Sequence, residues 1–154
     1  MKTSQRVHFT LSMLFVCVAT LSLSCGEEET VSGGPNSSIM DMVPENKKQT
    51  GVGVFTSYAH DLSGKASLFC GDDDNKAIRL EDFNMLAGPD VYVFISKSNN
   101  YSKANAIEVA KLPSGYMDSD INFDFKSQGL SSDHKFVLVY CVQYNSLFGF
   151  AELE

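Results

Sequence analysis

From Gly51 to the end of the chain, short apolar runs alternate with clusters of turn residues, which is the pattern of strands joined by tight connections. The predicted strands cover Gly51–Tyr58, Lys65–Cys70, Ala77–Leu80, Val91–Ser96, Asp120–Phe125, Phe136–Val142 and Leu147–Leu153. Ala106–Leu112 fits either a further strand or a short helical turn. With no convincing amphipathic helix, about seven to eight strands at this spacing predict an all-β domain, an antiparallel β-sandwich or barrel.

Three of these segments carry more detailed predictions. In Asp120–Phe125, apolar residues alternate with Asn122 and Asp124, which predicts one buried face and one solvated face. Phe136–Val142 is wholly apolar, as expected for a strand in the centre of a sheet. The acidic segment Gly71–Asn75 lies between two predicted strands and is typical of a hairpin turn.

The N-terminal segment has a different pattern. A basic start precedes an apolar run from Val7 to Leu23, and Cys25 follows, which is the layout of a bacterial lipoprotein signal. We therefore predict a signal peptide over residues 1–24 and attachment of fatty acyl groups such as palmitate to Cys25. A secretory signal cut near Ser24 and a membrane anchor that is never cut are the two alternatives.

Residues 25–50 are rich in Gly, Ser, Glu and Asn without a sustained period, so we predict a lipidated cysteine followed by a flexible tether. Residues 51–154 then form a single folded domain. The run Glu27–Glu29 resembles the acidic export tag that directs some lipoproteins to the cell exterior, although an acidic linker has the same composition. The expected location is the bacterial outer membrane, with exposure at the cell surface if the tag acts.

The charge and the cysteines limit the partners and cofactors. The chain has 12 basic and 19 acidic residues and a formal net charge of −7, so no nucleic-acid partner is expected. Cys70 and Cys141 are the only cysteines of the predicted domain, and an even pair in an exported protein permits one disulfide. Because no haem or zinc ligand spacing is present, the sequence predicts no metal site and leaves the cofactor unassigned.

Four motifs, in this order, resemble the DM13 domain family. They are His-Asp-Leu-Ser-Gly at 60–64, Leu-Glu-Asp-Phe at 80–83, Gly-Pro-Asp-Val-Tyr-Val-Phe-Ile-Ser at 88–96, and Val-Leu-Val-Tyr-Cys at 137–141 followed by Phe-Gly-Phe-Ala at 148–151. The resemblance runs from about Gly51 to the C-terminus. It implies a small all-β unit on a secreted or membrane-anchored protein, with a role in electron transfer suggested by the DOMON and cytochrome domains that neighbour it.

The same resemblance identifies two candidate functional groups, the thiol of Cys141 and the imidazole of His60. The family's near-invariant cysteine falls on Cys141, which is therefore the redox candidate, and His60 lies in the first motif as a candidate ligand of haem or metal. Two alternatives for Cys141 stay open: a buried small hydrophobe, or a disulfide partner of Cys70. The residue before the family's cysteine is often Trp and is Tyr140 here, and Cys70 is not part of the family pattern.

The other motif residues are expected to have structural roles. Gly64 would supply the positive φ of a turn before the strand at Lys65, and Pro89 would fix the turn that enters the Val91 strand. Asp90 would accept hydrogen bonds from turn amides or cap the strand entrance. The remaining structural motif positions are Phe83, Gly88, Phe148 and Gly149.

Two functions from different classes follow. The first is a lipid-anchored electron-transfer module centred on Cys141, with a redox protein as partner and no catalytic activity of its own. The second is a non-catalytic surface-binding or adhesion module, in which Cys70 and Cys141 are structural and the partner is a surface ligand.

Overall fold

The computed structural model describes residues 43–72 and 74–154. They form eight strands: β1 Lys48–Ser57, β2 Leu62–Cys70, β3 Asn75–Met85, β4 Val91–Ser96, β5 Ala106–Leu112, β6 Tyr116–Lys126, β7 Phe136–Cys141 and β8 Ser146–Glu152. No helix occurs in these two ranges, so the all-β prediction is confirmed, and nothing in them forms a helix able to cross a membrane. The predicted signal peptide, Cys25 and the acidic run Glu27–Glu29 lie outside the described residues.

The strands make one antiparallel sheet in the order β5-β4-β7-β8-β1-β2-β3-β6. β1 belongs to both halves of the sheet, because Lys48–Val54 pairs with β2 and Phe55–Ser57 pairs with β8. The two outer strands, β5 and β6, contact each other, so the sheet curls into a nearly closed barrel. The structure therefore favours the barrel over the sandwich.

The barrel has two unlike ends, because neighbouring strands run in opposite directions and their connections alternate between the ends. One end, which we term the motif end, carries the connections 58–61, 86–90, 113–115 and 142–145. The other, which we term the terminal end, carries the connections 71–74, 97–105 and 127–135 together with the start of β1 and the end of β8.

The strand bounds agree with the hydrophobic pattern where the pattern is regular. β4 and β5 begin and end where the sequence predicts, and Ala106–Leu112 is a strand and not a helical turn. In β6 the alternation is confirmed, since Ile121, Phe123 and Phe125 are buried and Asp124 is exposed. β7 lies between β4 and β8 and is buried from its second residue onward, as its apolar composition predicts.

β3 and β6 extend beyond their predicted bounds at the motif end. Their pairing shifts register around Phe83, and Asp82 and Asp118 adopt left-handed backbone conformations with φ of 48° and 42°. These bulges interrupt the alternation of apolar and polar residues. The sequence pattern therefore predicts an end of β3 that comes before the observed one and a start of β6 that comes after it. β1 likewise begins at Lys48, ahead of the predicted boundary at Gly51, because Lys48 pairs with Cys70.

Gly64 has the positive φ predicted for it, at +116°, but its location differs from the prediction. It lies inside β2, at a register shift between Ser63 and Lys65, and not in a turn before the strand. A Cβ atom there would stand 2.6 Å from the carbonyl oxygen of Glu81 on the neighbouring strand. Glycine is therefore required both by the backbone conformation and by the closeness of β3.

Candidate functional site

Cys141 is the last residue of β7 and lies at the motif end of the barrel. Its side chain belongs to the barrel core and is only 1% exposed. The thiol is free, and its Sγ donates a hydrogen bond to the carbonyl oxygen of Pro89 at 2.8 Å. Cys141 thus carries a buried, free thiol whose hydrogen is directed at the Gly88–Asp90 segment.

The Gly88–Asp90 segment covers the sulfur. Pro89 itself is exposed, so the sulfur lies directly beneath a surface residue. The segment is held a second time by the backbone, because the Val142 amide donates to the carbonyl oxygen of Asp90 at 3.0 Å. Asp90 adopts φ of 55°, which turns the chain into β4.

The Asp90 side chain has partners that differ from the predicted turn amides. Its carboxylate accepts a hydrogen bond from Lys111 Nζ at 2.6 Å and another from the Tyr92 hydroxyl at 3.3 Å. The hydrogen bond from Lys111 lowers the pKa of Asp90, and the same bond raises the pKa of Lys111. Lys111 Nζ also lies 5.3 Å from the centre of the Tyr92 ring. The pair is solvent-exposed, so it orients the turn more than it stabilises the fold.

Two motifs that are distant in sequence contact each other at the motif end through Gly88 and Phe148. A Cβ atom on Gly88 would lie 2.8 Å from Cγ2 of Val91 and 2.9 Å from Cζ of Phe148. Because a methyl group does not fit there, glycine allows the segment to rest directly on the Phe148 ring. The Phe148 ring also contacts His60, whose ring centre lies 4.0 Å from that of Phe148.

His60 is exposed, and its observed ring contact is with Phe148. Among residues 43–72 and 74–154, no group of three or more His, Cys, Asp or Glu side chains is arranged to hold a metal ion. The structure thus brings His60 to the same end as Cys141 without placing it in a ligand cluster. Its role as a haem or metal ligand stays a prediction.

The disulfide between Cys70 and Cys141 is not formed, and that alternative is wrong for this structure. Cys70 ends β2 at the terminal end, whereas Cys141 ends β7 at the motif end. β8 and β1 separate the two strands, which corresponds to roughly 14 Å at the usual strand spacing. A disulfide requires Cα atoms within about 7 Å, so the barrel keeps both thiols apart.

Cys70 and His134 form separate structural contacts at the terminal end. The Thr50 hydroxyl donates to Cys70 Sγ at 3.4 Å, and Cys70, His134 and Lys135 line a cavity of about 510 Å³. His134 is buried, and its Nδ1 accepts a hydrogen bond from the Ser131 amide at 3.0 Å. This histidine therefore fixes the 127–135 connection.

A cluster of tyrosines beside Cys141 was not predicted. Tyr140 faces the outside of the sheet, where its ring stacks on Tyr101 at 4.2 Å between ring centres and its hydroxyl donates to Asn145. Burial raises the pKa of Tyr140, with smaller contributions from Tyr101 and Cys141. Tyr101 comes from the irregular 97–105 connection, for which the sequence carries no periodic signal.

Together these features define a small antiparallel β-barrel domain with one free, buried thiol at the end where its motif residues converge. The family model described as "Electron transfer DM13" matches residues 54–153. The chain belongs to the DM13 family, and the matched range includes seven complete strands and the end of β1. Comparison with curated proteins and with solved structures gives no significant match.

Proposed function

We propose that this chain is an electron-transfer protein of the cell envelope and that Cys141 is its redox group. The observation that carries the proposal is the convergence of the Gly88–Asp90 and Phe148 motifs on a free thiol. The thiol would give one electron to a strongly oxidising one-electron acceptor on a partner and one proton to solvent. Since the thiol and the resulting sulfur radical are both neutral, burial does not penalise either form.

Electron exchange at Cys141 does not require the sulfur to be exposed, because an electron can cross a single covering residue. Direct attack by a bulky reagent does require access, and Pro89 blocks it. The arrangement therefore favours electron transfer over thiol–disulfide exchange. The barrel also keeps Cys141 apart from Cys70, which is partly exposed at the other end.

Replacing Cys141 with serine is expected to abolish the one-electron signal of the purified chain, while Cys70→Ser leaves it unchanged. Serine retains a donor for the Pro89 carbonyl and almost the same volume, so the fold is kept and only the sulfur chemistry is lost. Protein-film voltammetry measures the signal, and circular dichroism checks the fold of both variants.

A wild-type chain without any redox signal, or a Cys141→Ser chain with an unchanged signal, would contradict the assignment to Cys141. Absorption spectra of the same oxidised and reduced samples test for a bound haem or metal. If a cofactor band is present and His60→Ala removes it, His60 is a ligand and the redox group is the cofactor.

We further propose that acyl groups on Cys25 anchor the mature chain to the outer membrane, with residues 26–47 as the tether. The basic start, the apolar run and Cys25 support this anchor. The Gly-, Ser- and Glu-rich composition of the residues that follow Cys25 supports the tether.

The Cys25→Ala variant is expected to lose labelling by radioactive palmitate in the producing bacterium and to leave the membrane fraction. Cys17→Ala is the matched control, because Cys17 lies inside the predicted signal peptide and should leave both readouts unchanged. Labelling that persists in Cys25→Ala would refute the anchor. Protease treatment of intact cells, with Glu27–Glu29 replaced by alanine in a parallel strain, tests whether the acidic run directs surface exposure.

A further inference from the structure

Exposed large apolar side chains concentrate at the motif end. Among the described residues, eight large hydrophobic side chains are exposed, and five of them, between 42% and 83% exposed, lie at this end. These five are Tyr58, Leu86, Met117, Val142 and Tyr144. Single exposed apolar residues need no explanation, but a concentration at one end of a small domain marks an interaction surface.

The topology, and not the sequence, brings these side chains together. Tyr58 lies in the 58–61 connection, Leu86 in 86–90, and Val142 and Tyr144 in 142–145, while Met117 is the second residue of β6. Two of these residues also line an open cavity of about 460 Å³ together with Asp61. The same end contains Pro89, the cover of the Cys141 sulfur.

The motif end carries acidic residues that are not balanced by basic residues in its connections. Its four connections contain no Lys or Arg, and Lys111 of β5, which reaches this end, is bound to Asp90 at 2.6 Å. Asp61 and Asp118 are exposed here, and neither forms a salt bridge with any residue that the structure describes. The surface is therefore an apolar patch bordered by uncompensated carboxylates.

We propose that the motif end is the docking surface for a basic protein that carries a one-electron redox group. An apolar patch on the partner, bordered by Lys and Arg, would complement both the apolar and the acidic parts of this end. The net charge of −7 makes a second copy of this chain a poor occupant, since two acidic ends would repel each other. The redox character of the partner rests on the proposed function, whereas the docking surface does not.

Binding of a purified basic c-type cytochrome to the mature chain tests this proposal, with an acidic cytochrome as the control probe. Isothermal titration calorimetry at low ionic strength is expected to show binding of the basic probe only, weakened when the salt is raised to about 0.5 M. A Leu86→Ser, Tyr144→Ser double variant and an Asp61→Asn, Asp118→Asn double variant are each expected to weaken binding at least about tenfold.

Val54→Ser is the matched control, because Val54 is also an exposed apolar residue but lies within β1 and not in a connection of the motif end. No binding of the basic probe, equal binding of the acidic probe, or equal loss in the Val54→Ser control would overturn the proposal. So would self-association in sedimentation that the Leu86→Ser, Tyr144→Ser variant abolishes, because the occupant would then be a second copy.

The docking surface and the redox role of Cys141 can fail separately. Cys141→Ser is expected to bind the cytochrome probe with unchanged affinity, since its side chain is buried beneath Pro89. Salt-sensitive binding by a chain that gives no Cys141-dependent signal in voltammetry would leave the docking surface intact and refute the redox function. A Cys141-dependent signal in a chain that does not bind the basic probe at the motif end would refute the docking surface and leave the redox function intact.

Discussion

Phe83→Ala is expected to lower the free energy of unfolding by about 3–5 kcal/mol. Phe83 is fully buried on β3, and its ring lies 5.5 Å from Phe55 and 5.7 Å from Tyr116 between ring centres. β3 is paired on both sides, with β2 and β6, so the surrounding strands cannot collapse into the space that the ring leaves. Equilibrium unfolding in urea, followed by circular dichroism, measures the change.

Val54→Ala is the control for Phe83→Ala. Val54 is 68% exposed on β1, and its replacement should change the stability by no more than about 0.5 kcal/mol. A Phe83→Leu variant, which retains most of the apolar volume, should fall between the two. If Phe83→Ala costs no more than Val54→Ala, then Phe83 is not part of the barrel core.

Gly149→Ala is expected to destabilise the chain by about 3 kcal/mol or more, because the atom closest to the added methyl group belongs to the backbone and cannot move aside as a side chain can. Its Cβ would lie 2.4 Å from the carbonyl oxygen of Thr56 and 2.7 Å from Cδ2 of Leu62. Relief requires β8 to move away from β1, where Gly149 pairs with Ser57. That pairing joins the two halves of the sheet, so its loss affects the whole barrel. Thermal unfolding and urea unfolding both report the change.

Gly129→Ala is the matched control for Gly149→Ala. Gly129 lies in the 127–135 connection with φ of +83°, and a Cβ there would meet only Ile107 Cδ1, at 3.8 Å. The control therefore carries the cost of the left-handed conformation, about 1–2 kcal/mol, without a clash. A Gly149→Ala variant as stable as Gly129→Ala would show that β1 and β8 are less closely packed than described.

The strands could be predicted because strand pattern is local. The apolar run of β7 and the alternation in β6 each follow from which side chains face the core, and a few residues suffice to show it. The pattern becomes uninformative at the bulges near Asp82 and Asp118, where one residue more or less reverses which side chains point inward.

Long-range pairing could not be predicted in the same way. Nothing in the sequence of β1 indicates that its first part pairs with β2 and its last part with β8, or that β5 and β6 approach each other. Arg79 is a related case, since a charged residue in a strand is expected at the surface. It is buried, and its guanidinium forms a salt bridge with Asp120 across β3 and β6 at 2.7 Å.

For the candidate site, the sequence allowed the residues to be identified, but it did not predict which of them contact each other. The family resemblance identified Cys141 and Pro89, yet the hydrogen bond between them joins positions 52 residues apart. The ion pair of Asp90 with Lys111 likewise depends on the pairing of β4 with β5. The number of cysteines permitted a disulfide, but only the strand directions show that the two thiols lie at opposite ends.

The start of β1 at the end opposite Cys141 has a consequence for a membrane-bound carrier. A tether joined to lipid through Cys25, as proposed above, would enter the barrel at the end remote from the Cys141 sulfur. Fully extended, residues 26–47 would reach roughly 70 Å, well beyond the thickness of the headgroup layer. With the proposed anchor, the bilayer would leave the Cys141 end of the barrel open to proteins that arrive from the aqueous side. Anchorage and the proposed electron exchange would then use opposite ends of the domain.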